Sequence, residues 1–135
     1  MSDPKAPQVA IMRSMLGRAR GLGAAKSGTA HWWSQRATAI ALVPLSLWFV
    51  ASVIGLLGAP RAAVAAWAAG PITATLLLAT IAALFQHLHL GVKVVIEDYI
   101  HAERPRMFWL LALKGLIGLM ALASAVSVLK LAFTG

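Results

Sequence analysis

The chain has 135 residues, of which 60% are hydrophobic and only 12% charged, and its mean hydropathy of +0.80 exceeds what a water-soluble core requires, so it reads as a membrane protein. The formal net charge of +8 does not point to nucleic acid, because half of the twelve Lys and Arg fall in the first 36 residues, ahead of an apolar run, as membrane topology produces. With no cysteine, the chain has no disulfide, no thiolate zinc site, no iron–sulfur ligand and no c-type haem attachment, so any redox cofactor must be held by histidine or methionine.

Residues 1–30 form a basic segment without the apolar core of a secretory signal. They contain Lys5, Arg13, Arg18, Arg20 and Lys26, but few acids. This is compatible with a mitochondrial transit peptide, although Asp3 and the nearby prolines speak against one. The remainder, 31–135, reads as a single three-helix membrane domain. Its apolar stretches, about 37–57, 71–96 and 107–133, each reach the roughly 20 residues that cross a bilayer. Pro44 lies inside the first and is expected to kink it.

The linkers are short. GAPRAAVAAWAAG separates the first two helices, with Pro71 suited to the first turn of the second, and EDYIHAERPR separates the last two. Arg36, Arg104 and Arg106 join the N-terminal cations on one side, against Arg61 alone in the first linker. By the positive-inside rule the N-terminus and second linker are cytoplasmic (or matrix), and the first linker and C-terminus lie opposite. Trp32, Trp33, Tyr99 and Trp109 then fall at the inner interface and Trp67 at the outer.

Polar residues inside the spans are the functional candidates. His87 lies about nine residues, roughly 14 Å, from the inner end of the second span, near the middle of the hydrocarbon layer. Two readings are open: a cofactor ligand, or a histidine hydrogen-bonded to a neighbouring helix. His87 and His89 stand about 160° apart around a helix and cannot chelate one zinc or copper ion, though either can serve as a single axial ligand. Gly91, one turn from His87 on the same face, leaves a recess beside the ring that suits a planar group such as haem; a packing glycine is the alternative.

The first and third spans contain no histidine, and Met120 is the only deep methionine. A second axial ligand would therefore come from another chain. Lys93 can snorkel and pair with Glu97, its i+4 neighbour. Lys114 lies deep enough to need an acidic, carbonyl or propionate partner unless it too snorkels. Asp98 and Tyr99, at the inner end of the second span, combine a carboxylate with a phenol donor of the kind a quinone carbonyl accepts, while Tyr99 can equally be an interfacial anchor. Arg36 suits a propionate, a quinone-pocket group or a lipid phosphate.

The blocks HWWSQRATAIALVPL at 31–45 and HLHLGVKVVIEDYIH at 87–101, with a third helix after them, resemble the smaller hydrophobic anchor subunit of succinate dehydrogenase, respiratory complex II. The resemblance covers about residues 28–133 and rests on the R-A-T-A run and on His87, Gly91, Asp98 and Tyr99. It implies an all-α anchor in a two-chain helix bundle, with a second, cytochrome b-type anchor subunit, an iron–sulfur subunit and a flavoprotein subunit as partners. It also implies that His87 ligates the iron of a haem b shared between the anchors and that Tyr99 donates to ubiquinone. Asp98 would support the quinone pocket, and Arg36 would lie near the propionates or that pocket. His31 is displaced by one place from a histidine of some relatives and receives no firm role.

On this reading the chain is a non-catalytic anchor of an oxidoreductase in the bacterial cytoplasmic membrane, the mitochondrial inner membrane being the second choice. The competing reading is a small proton-translocating or structural subunit of another membrane complex, without haem.

Overall fold

The structure is a computed structural model that describes residues 15, 16 and 28–134. The basic segment expected over 1–30 lies almost wholly outside the described residues. Among the described residues every element is helical: α1 (Gly28–Gly55), α2 (Arg61–Ala69), α3 (Pro71–Tyr99) and α4 (Glu103–Thr134). Three of these are long and apolar enough to cross a membrane, α1, α3 and the Glu103–Phe133 portion of α4. At 1.5 Å per residue, α1 alone reaches about 42 Å, longer than a hydrocarbon core of roughly 30 Å.

The helix ends follow from local chemistry. After α1 the chain turns at Gly58, whose φ of 77° is the left-handed conformation glycine adopts without strain. Pro60 then precedes the alanine-rich α2. This short helix is a departure from the expected linker: RAAVAAWAA is rich in the best helix former and is bounded by Pro60 and Gly70.

Gly70 makes the corner into α3. A side chain there would put its Cβ 3.3 Å from the Trp67 carbonyl oxygen and 3.4 Å from Thr73 Oγ1. Pro71 supplies the first residue of α3, where its missing N–H costs nothing.

Several boundaries lie outside the expected ranges, α3 running to Tyr99 rather than 96. α1 begins at Gly28 rather than 37, so the HWWSQR block is helical, and α4 begins at Glu103 rather than 107. Pro105 sits in the first turn of α4, where no intrahelical N–H bond is lost, and Glu103 favours the positive helix end. α1 continues as one helix through Pro44.

α3 is the central element. Both α1 and α4 pack on it, α2 packs against α3 and α4, and α1 and α4 do not pack on each other. Trp48 of α1 stacks on Trp67 of α2 with ring centroids 6.0 Å apart, closing the end of the hairpin.

The core is correspondingly thin. Among the described residues only Ala68, Ala74, Leu77, Leu90 and Ile117 are buried, and no polar residue is. Hydroxyls within the spans bond back to their own helix, as Thr80 donates to the Leu76 carbonyl at 2.7 Å and Ser124 to that of Met120 at 2.8 Å. Each is satisfied without water.

Candidate functional site

His87 lies 12 residues from Tyr99, the last residue of α3, about 18 Å along the axis. Its ring meets the inner face of α1. Nδ1 is 3.0 Å from Thr38 Oγ1. Gln35 Nε2 stands 3.5 Å from His87 Nε2, at the outer limit of a hydrogen bond. The Thr38 hydroxyl donates to the Ser34 carbonyl at 2.8 Å, with the Gln35 carbonyl 3.1 Å away.

Gly91 faces the same seam. A Cβ added there would meet only Gln35 Nε2, at 3.7 Å, an ordinary contact. The packing of this chain alone therefore does not demand glycine at 91. Two buried polar atoms at the seam, Gln35 Oε1 and His31 Nε2, have no hydrogen-bond partner. His31, Gln35 and Thr38 thus form a polar stripe at i, i+4 and i+7 on α1.

His89 faces the opposite seam. With Gln86 and Lys114 it lines a groove between α3 and α4, and near the helix end the groove continues past Lys93 and Met107. Lys93 Nζ lies 3.8 Å from Glu97 Oε1, the i+4 pair the sequence anticipates. Met120 is half exposed. Among the described residues, no group of three or more His, Asp or Glu side chains is placed to hold a metal ion.

Tyr99 and Asp98 end α3 on its surface, Tyr99 being 81% exposed. Arg36 is also exposed, its guanidinium 5.5 Å from the centre of the Trp32 ring. Trp32 and Trp33 meet edge to face, as do Phe108 and Trp109 at the start of α4. The structure therefore brings His87 and Gly91 together with Gln35 and Thr38. It links neither Tyr99, Asp98 nor Arg36 to them by a hydrogen bond or ion pair among the described residues.

Comparison with known proteins gives the family of the chain. The succinate dehydrogenase/fumarate reductase transmembrane subunit family matches residues 10–129. The chain belongs to this family. The succinate dehydrogenase hydrophobic membrane anchor subunit of Rickettsia bellii is 35% identical over 102 residues, covering 76% of this chain and 82% of that one. The succinate dehydrogenase membrane anchor subunit of Reclinomonas americana is 35% identical over 85 residues, 61% of this chain and 71% of that one. That of Rickettsia conorii is 34% identical over 90 residues, 66% and 71% of the two chains. No solved structure matches the chain.

Gln35 and Thr38, which contact His87, are not among the residues expected from the sequence, and neither side chain is ionisable. Their signal was present as the polar stripe of His31, Gln35 and Thr38, on a helix whose other residues of that face are apolar.

Proposed function

We propose that the chain is the smaller anchor subunit of a succinate:ubiquinone oxidoreductase, giving one axial ligand to a haem b and part of the ubiquinone-reduction site. The observation that carries the haem half is His87 itself. It is a neutral-capable imidazole deep in a spanning helix, held at Nδ1 by a 3.0 Å contact and capped at Nε2 only by a 3.5 Å one. The donor set fits one haem ligand. Gln35 is poorly satisfied where it stands, its carbonyl oxygen being buried without a partner, so moving it from Nε2 costs little. Gly91 keeps the wall beside the ring free of a side chain for a reason that the chain's own packing does not supply.

His87 would hold the group from this chain, and a second anchor subunit would supply any further ligand. That subunit must then approach along the seam of α1 and α3, not the seam of α3 and α4 where His89 stands. When bound, haem b supplies a one-electron redox centre within the membrane. Arg36, exposed on α1 beside Trp32, is available to a propionate or to the quinone pocket. Tyr99 donates its phenol proton to a quinone carbonyl, and Asp98 beside it supports the pocket. The flavoprotein and iron–sulfur subunits complete the complex, and succinate does not reach this chain.

The excess of Lys and Arg ahead of α1 and around its start supports a cytoplasmic N-terminus. With Rickettsia proteins among the relatives, the bacterial cytoplasmic membrane is the assigned location. The test compares His87→Ala with His89→Ala in the purified complex by reduced-minus-oxidised spectra, after identifying the co-purifying chains. Loss of the b-type band in His87→Ala alone is the expected result. Equal loss in both variants, in complexes that still assemble, would refute the assignment of the ligand.

A further inference from the structure

We infer that Thr38 is a positioning residue for His87, selecting the ring tautomer that leaves Nε2 its lone pair. The inference rests on the proposed role of His87 as a haem ligand. It begins with the hydroxyl proton. Thr38 Oγ1 donates to the Ser34 carbonyl at 2.8 Å, and the Gln35 carbonyl, at 3.1 Å, competes for the same proton. Both alternatives commit the proton to backbone oxygen. The hydroxyl then has only lone pairs to offer His87, so at 3.0 Å Nδ1 must be the donor.

The other side of the ring agrees. Gln35 presents Nε2, an amide donor, to His87 Nε2, which can accept only if it carries no proton. Two contacts from one helix therefore choose the same tautomer: N–H at Nδ1, lone pair at Nε2. They differ in strength, and the difference matters. The Thr38 contact is short and its oxygen is anchored to the helix backbone, whereas the Gln35 contact is at the limit of reach and its own carbonyl oxygen has no partner. Thr38 is thus the lasting support and Gln35 the group that gives way to a ligand.

The chain of hydrogen bonds from Nδ1–H through the hydroxyl to the Ser34 carbonyl polarises the imidazole. A ring whose Nδ1–H is engaged in this way is a better electron donor through Nε2 and is fixed in rotation, as outer hydrogen bonds do for metal-bound histidines generally. It binds iron more tightly and favours the oxidised metal.

Thr38→Val keeps the branched shape and removes the hydroxyl, and Thr38→Ser keeps the hydroxyl and removes a methyl. In the intact complex, Val is expected to speed haem transfer to excess apomyoglobin by about 10- to 100-fold, the usual cost of losing such a support. It should also move the haem midpoint potential to more positive values. Ser should restore both. Wild-type transfer and potential in the Val variant would overturn the inference, as would equal impairment in Val and Ser, which would assign the effect to the methyl group. His87→Ala separates the two levels of the argument. Haem lost there but unaffected in Val defeats only the role of Thr38, and haem retained there defeats the ligand assignment along with it.

Discussion

Gly91 separates a cofactor wall from a packing position more cleanly than any other residue of α3. In Gly91→Ala the new methyl has one neighbour within 4 Å, Gln35 Nε2 at 3.7 Å, which is ordinary van der Waals contact. The chain itself therefore suffers no steric cost. Replacing a helical glycine by alanine should even stabilise α3, by about 0.5–1 kcal/mol. A haem seated against that wall would meet the methyl as overpacking, at roughly 1–3 kcal/mol. The two effects have opposite signs and different readouts.

The complex should unfold at the same or slightly higher temperature when stripped of haem, while haem retention falls about 5- to 150-fold, the equivalent of that overpacking cost. Haem-to-flavin ratio and the rate of haem transfer to apomyoglobin measure the second effect. Full haem occupancy with an unchanged transfer rate would show that nothing planar lies on Gly91. A fall in the stability of the haem-free complex would show that the packing assigned to the seam is wrong.

Two further variants test the ends of the site. Tyr99 is 81% exposed, so Tyr99→Phe should leave folding unchanged and lower quinone kcat/KM roughly fivefold for one lost hydrogen bond of about 1 kcal/mol. Succinate oxidation by a soluble artificial acceptor should persist, and unchanged quinone kinetics would return Tyr99 to the role of an interfacial anchor. Glu97→Gln removes the partner of Lys93, but the pair is open and its atoms are 3.8 Å apart. It should therefore alter stability by no more than about 0.5 kcal/mol in thermal unfolding.

The spans were legible because apolar length is a strong signal and few other structures satisfy it. Their ends were less so. Residues 28–36 mix Gly, Ser, Thr and Trp with charge and read as flank, yet they continue α1, which projects beyond the hydrocarbon layer. α2 escaped because nine residues cannot cross a membrane and Gly and Pro bound them, while alanine's helical preference was discounted. At the site, helical periodicity separates His87 from His89. It cannot say which neighbour each would face, since that depends on where α1 and α4 pack on α3. Thr38 and Gln35 became visible only when that packing set them against the ring.

The packing of both α1 and α4 on α3 bears on how the two histidines are separated. Because α1 and α4 both lean on α3 and not on each other, each seam of α3 has its own character. The α1 seam carries the hydrogen-bonding groups His31, Gln35, Thr38 and His87, while the α4 seam carries Lys93 and Lys114 beside His89. A group held by an uncharged lone pair suits the first seam, since a cation facing His87 would disfavour the positive charge of an oxidised metal. Lys93 is turned from it by the same helical spacing that turns His89 away, and Lys114 stands on α4. The exposed Tyr99 and Asp98, at the end of the helix, remain where protons can be supplied from water.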